Sequence, residues 1–170
     1  MKIKDYQYFY EQSIDRNKSL DSKLFATFAV ECVLASAIVY FSKDITLTPS
    51  NFPESLFLIT VLGTIITYMI AVVYILKATL DSEFSYINLE ELEHTIQYIN
   101  SLQAQVTVDK KIVNKKINNI IKETYRKPTV FNKEYNIKKE KRINYCISWT
   151  FISFCLFVLS VCIHIILINI

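Results

Sequence analysis

Hydrophobic residues in this chain fall into three long blocks, with charged sequence between them. The first runs from Leu24 to Phe41 (LFATFAVECVLASAIVYF) and the second from Ser55 to Lys77 (SLFLITVLGTIITYMIAVVYILK). A short polar loop, Ser42 to Glu54, joins them. The third block, Tyr145 to Ile170, contains no Asp, Glu, Lys or Arg. At ~1.5 Å of rise per residue, each block is long enough as a helix to cross a ~30 Å hydrocarbon layer. A soluble core spreads its apolar residues periodically, whereas solid blocks mark membrane spans. The pattern predicts an all-α fold: a polytopic membrane protein with three transmembrane helices and a cytoplasmic helical hairpin. It divides the chain into an N-terminal amphipathic helix (1–23), a two-span hairpin (24–77), a cytoplasmic helical region (78–143) and a C-terminal span (144–170).

The polar segments read as helices too. In residues 2–23 the apolar points are Tyr6, Phe9 or Tyr10, Ile14 and Leu20. Two readings stand: a helix lying on the membrane surface, or a downward continuation of span one that packs on the other cytoplasmic helices, which we favour. No breaker follows Lys77, so the second span is expected to run on into the cytoplasm. There Leu89, Leu92, Ile96, Ile99 and Gln103 alternate at spacings of three and four, the seam of a coiled coil with one polar core position. The helix is expected to break near Thr107–Asp109, with Asp109 capping a second arm, Lys110 to Arg126. Pro128 is expected to stop that arm and Asn132 to cap a third helix leading into the last span.

Composition sharpens this picture in two places. One Gly and three Pro leave little room for flexible linkers. All four cysteines (Cys32, Cys146, Cys155, Cys162) lie in the apolar blocks, where small buried hydrophobes are expected rather than a disulfide framework. The Lys and Arg residues are shared unevenly. Lys2, Lys4, Arg16, Lys18 and Lys23 precede span one, only Lys43 lies in the first loop, and most of the others lie between Lys110 and Arg142. The positive-inside rule then places the N-terminus and the long polar region in the cytoplasm, and the short loop and the C-terminus outside. No signal peptide is expected ahead of Leu24.

Candidate chemistry is sparse. A single glycine excludes a Gly-rich phosphate loop, and no hydrolase, kinase or zinc-protease motif occurs, so an enzyme is not expected. No cofactor or metal site is expected. Glu31 is the one acid inside a span, where a carboxylate must face protein, water or a partner. With Thr27 it lies on a polar stripe that reads either as a pore or gate lining, or as a hydrogen bond to a hydroxyl on span two. Span two carries Thr60, Thr64 and Thr67 beside Gly63, and span three carries Ser153, Ser160 and His164. Small and hydroxylated stripes are explained most economically by helix packing, with lining of a narrow path as the second reading. In the long polar region, Lys111, Lys115, Lys116, Lys122, Arg126, Lys138 and Lys139 surround Tyr125 and Tyr135. Most of this is the positive-inside signal and a solvated face, but bases among aromatic rings are also what a nucleotide or short single strand needs.

Three spans cannot enclose a path in one chain, whereas copies around a symmetry axis can. The sequence therefore suggests a homo-oligomeric channel, most simply a tetramer, gated from the cytoplasm. A small adaptor anchoring a soluble partner is the alternative. The stretch SIDRNKSLDSKLFATFAVECVLASAIVYF, with span two and the helix after it, resembles the SLATT-type membrane effectors of bacterial anti-phage systems. In these a polar helix leads into a two-span hairpin and on into cytoplasmic helices. The resemblance is architectural, covers roughly residues 10–105, and the third span departs from the two-span plan. It implies a bacterial inner-membrane protein that permeabilises the membrane when a nucleotide signal changes.

Overall fold

A computed structural model describes residues 3–44, 49, 51–80, 84–105 and 110–168. Those residues are almost wholly helical. α1 spans Ile3–Phe41, α2 Phe52–Leu80, α3 Leu89–Gln105 and α4 Lys110–Ile168, and a single 3-10 turn, Ser42–Asp44, follows α1. Among the described residues there is no strand. Three of the four helices, α1, α2 and α4, are long and apolar enough to cross a membrane.

Local chemistry explains the helix starts. Asn51 caps α2: its Oδ1 accepts the Glu54 backbone N–H at 2.9 Å, and its Nδ2 donates to Glu54 Oε1 at 3.2 Å. Pro53 sits in the first turn, where a missing N–H costs nothing. Asn88 caps α3 in the same way, accepting the Glu91 N–H at 3.3 Å. With no Gly or Pro before Pro49, α1 has nothing to interrupt it.

The chain forms two compact units, Met1–Ser19 with Glu83–Lys138 (unit 1), and Leu20–Ser82 with Lys139–Ile170 (unit 2). In unit 1, the first part of α1 packs on α4. The rings of Tyr10 and Tyr125 meet edge to face at 5.8 Å, and the Asn136 side chain donates to the Ser13 carbonyl at 2.8 Å. In unit 2, α1 and α4 run parallel and α2 runs against them. Leu20, Leu24, Ala71, Ile75, Ala78, Ile143 and Cys146 form one buried apolar cluster, and Phe57, Val61 and Ile163 form a second towards the other end of α2.

Two expectations about the polar region are corrected. α2 does not run on: it ends at Leu80, and Phe84–Asn88 has no regular structure. Its backbone is satisfied by side chains instead. The Ser85 N–H donates to Asn132 Oδ1 and Asn132 Nδ2 donates to the Ser85 carbonyl, both at 2.9 Å, while the Ile87 N–H donates to Tyr10 Oη at 3.0 Å. Nor does Pro128 end a helix or Asn132 begin one, because α4 runs through both. Pro128 removes one i→i−4 bond, but the packing on either side of it holds the axis together. Asn132 is turned to the Ser85 backbone, which is a tertiary role and not a cap. The expected break and cap at Thr107–Asp109 lie outside the described residues.

Candidate functional site

Unit 2 is built inside out. Its exposed side chains are large and apolar: Phe25, Phe28, Val33, Ile59, Ile66, Phe151 and Phe154 among others. Its buried ones include Thr60 and Ser160, at the level of the second apolar cluster, and Glu31, Thr64, Thr150 and Ser153, which form a polar layer between the two clusters. Hydrogen bonds tie this layer across helices. The Thr150 hydroxyl of α4 is bonded to Glu31 Oε1 of α1. Ser153 Oγ donates to the Thr64 carbonyl of α2 at 3.1 Å. The remaining hydroxyls turn back on their own helices: Thr27 to Lys23, Thr60 to Phe57, Thr64 to Thr60, Thr67 to Gly63 and Ser160 to Leu156. Such back-bonding satisfies a hydroxyl in an apolar setting.

Glu31 is 1% exposed, and its Oε2 has no hydrogen-bond partner among the described residues. The expected partner was a hydroxyl on the second span. The structure supplies one from the third span, because α4 runs beside α1 and brings Thr150 level with Glu31. Gly63 is less crowded than a close-approach glycine: a Cβ there would meet Leu156 Cδ1 at 3.5 Å, an ordinary contact. His164 is half-buried among rings, stacked on Phe57 at 5.3 Å and edge-on to Phe41 at 6.0 Å. On the face shared by α1 and α4, a groove of about 550 Å³ is lined by Ala26, Val30, Ala37, Thr27, Thr150 and Phe154, with other apolar residues.

The basic residues of the polar region are placed differently from the expected aromatic groove. Lys111, Lys115, Lys116 and Lys138 are exposed on α4. Lys122 Nζ stands over the Tyr6 ring at 5.6 Å, and Arg126 pairs with Glu123 at 3.4 Å. Tyr125 offers no open platform. It is buried against Tyr10, and its hydroxyl accepts from Gln7 Nε2 at 3.4 Å. Tyr135 packs edge-on to Phe84 at 5.9 Å. Lys139 is buried in unit 2 and bonded to Asp21 at 2.5 Å, so it is a structural ion pair. Packing by the first part of α1 and by Phe84 occupies these rings, and no sequence pattern announces that.

On α3, Leu89 is exposed, while Leu92, Ile96 and Ile99 are half-buried. Leu92 shares a groove of about 330 Å³ with Ile120, Thr124 and Pro128 of α4, so that part of the seam faces the same chain. The Gln103 side chain lies outside the described residues.

Sequence reasoning passed over Asn136 and Ser13 and gave Asn132 a cap in place of its tertiary role. Asn132 and Asn136 are fully buried in unit 1 and pin α4 to the Ser85 backbone and to α1. A signal was present. Asn132, Asn136, Lys139, Ile143, Cys146, Thr150 and Ser153 follow alternating spacings of four and three, and all are buried. A groove of about 490 Å³ lined by Phe9, Ser13, Arg16, Lys133 and Asn136 adjoins this stretch in unit 1. No cluster of His, Cys, Asp and Glu that could hold a metal occurs among the described residues.

Comparison with protein-family models, with characterised proteins and with solved structures finds no match.

Proposed function

We propose that this protein spans a membrane three times and assembles with copies of itself into a channel gated by its cytoplasmic helices. The observation that carries the reading is the inverted pattern of unit 2: apolar side chains outward, a carboxyl and hydroxyls inward. Water would reject such a surface and lipid would accept it. In this arrangement Glu31, Thr64, Thr150 and Ser153 bond one another or the backbone. It corresponds to a closed state. Opening would separate α1, α2 and α4 enough to turn the same polar layer, with Thr27, Thr60, Thr67, Ser160 and His164, towards water. Any signal must bind the open and closed states with different affinity to drive this.

The wider reading follows the architectural SLATT-type resemblance of roughly residues 10–105. The channel would be a bacterial inner-membrane effector of anti-phage defence, the exposed bases Lys111, Lys115, Lys116 and Lys138 would meet a nucleotide or oligonucleotide signal, and tetramer symmetry would multiply that weak patch. The support is the resemblance and the positive charge of α4. A second reading, an adaptor that recruits a soluble protein, is favoured by the exposed Tyr8, Phe9, Val130 and Phe131 of unit 1. Ion flux from vesicles containing the purified protein separates the two. Flux that is altered by Glu31→Gln supports the channel, whereas a folded protein without flux, co-purifying with a stoichiometric soluble partner, supports the adaptor.

A further inference from the structure

The hydroxyls of unit 2 share one property: their protons are already committed. A hydroxyl has one proton to donate and two lone pairs. Thr27, Thr60, Thr64, Thr67 and Ser160 each donate to a carbonyl of their own helix, at 2.8–2.9 Å. Ser153 donates across to the Thr64 carbonyl, and Thr150 has Glu31 and the Cys146 carbonyl as its acceptors. Each of these oxygens is left with lone pairs and no free proton. The backbone N–H groups of long helices are likewise taken up within the helices.

Glu31 adds an acceptor of its own. It is 1% exposed, its Oε2 has no hydrogen-bond partner, and among the described residues it makes no ion pair. Residues 24–41, 55–76 and 145–170 contain no Lys or Arg. Two further groups carry a proton on oxygen or nitrogen. The Tyr68 phenol, within electrostatic reach of Glu31, can rotate its proton and keeps two lone pairs, so it does not oblige the layer to meet an anion. The His164 ring is stacked on Phe57 and edge-on to Phe41.

We infer that unit 2 conducts small inorganic cations and rejects anions, with the oxygens of Glu31, Thr64 and Thr150 selecting between them. The inference rests on the channel reading and names what that channel carries. A cation needs oxygens to replace its hydration, whereas an anion needs donors or fixed cations. Most of the hydroxyl bonds lie within single helices, so they persist when the helices separate. Thr150 keeps the Cys146 carbonyl, and Ser153 alone loses its acceptor. The charge of the whole chain points the other way. It is +3, and selection by overall charge would favour anions.

Reversal potentials of the full-length protein in planar bilayers under a KCl gradient test this. The expected result is a potential on the potassium side, with potassium favoured over chloride by roughly tenfold or more. The preference should persist at about 1 M salt, where surface charge is screened within ~3 Å. Glu31→Gln brings amide N–H donors into the layer and should lower the preference roughly tenfold. Thr64→Val removes one oxygen and should lower it about threefold, whereas Thr64→Ser should retain it. Ser148→Ala, on the exposed face of α4, should leave it unchanged. A potential at zero or on the chloride side would overturn the inference and leave the channel standing. So would a preference that vanishes at high salt, or one that Glu31→Gln and Thr64→Val both leave intact, since either places the selection elsewhere. No current from inserted protein would remove the channel reading, and the inference with it. The two Thr64 variants keep the test decisive where Glu31→Gln disturbs assembly.

Discussion

Glu31 and Thr150 show what one side chain decides. Thr150 has a single hydroxyl proton but two acceptors in reach, the Cys146 carbonyl at 2.9 Å and Glu31 Oε1. A neutral Glu31 carboxyl supplies the missing proton, and so would an amide. Glu31→Gln is therefore expected to stay within about 1 kcal/mol of the native protein, while Glu31→Ala leaves a void and an unmade bond and loses ~1–3 kcal/mol. Thermal unfolding in detergent, followed by Trp149 fluorescence, checks both. Equal loss in the two variants would mean that the charged form is the one the fold needs. Asn132 is decisive in unit 1, because its amide uses both faces to hold the Ser85 backbone. Asn132→Asp keeps the acceptor and loses the donor, and is expected to cost ~1–3 kcal/mol. Limited proteolysis should then cut within residues 84–88 faster than in the native protein, and an unchanged cutting rate would refute the clamp.

At the scale of elements, α4 carries a proline in its interior and α2 a glycine. Pro128 forfeits one backbone bond within a 59-residue helix. Pro128→Ala should restore it and stabilise unit 1 by up to ~3 kcal/mol. The restored bond runs from the new N–H at position 128 to the Thr124 carbonyl, so slow hydrogen exchange of that amide reads it directly, and fast exchange there would contradict it. Gly63→Ala places a methyl at ordinary contact with Leu156 and should be neutral or stabilising by ~0.5–1 kcal/mol, in keeping with the cost of glycine inside a helix. A clear loss of stability in the same unfolding assay would show that α2 and α4 approach more closely in the membrane.

For the whole molecule, the proposed topology makes a two-sided expectation. Lys115→Cys and Lys43→Cys, each introduced after removal of the native cysteines, should react with an impermeant maleimide from opposite sides of a sealed membrane. Labelling of both from one side would refute the three-span arrangement. The native Cys32, Cys155 and Cys162 are exposed on the apolar surface of unit 2, so they should resist the same aqueous reagent.

The sequence by itself determined the helical class and the three long apolar helices. These follow from local composition: blocks without charge, and an almost complete lack of Gly and Pro. It also marked Glu31 as a residue needing a partner, because a charged or polar group in an apolar run cannot be left unpaired, and Thr64 and Ser153 as members of helix-packing stripes. Only the tertiary structure decided who those partners are. Thr150 reaches Glu31 because α4 lies parallel to α1, and the one-dimensional pattern carries no record of which helices are neighbours. The same holds for Pro128 and Asn132, which read as stop and start. Local propensity for a break at these two positions is worth a few kcal/mol, and packing of Tyr10, Ser13 and Ser85 against α4 exceeds it. Likewise Tyr125 and Lys139 read as open binding groups until Tyr10 and Asp21 are brought against them, since a side chain's availability depends on what the fold places over it.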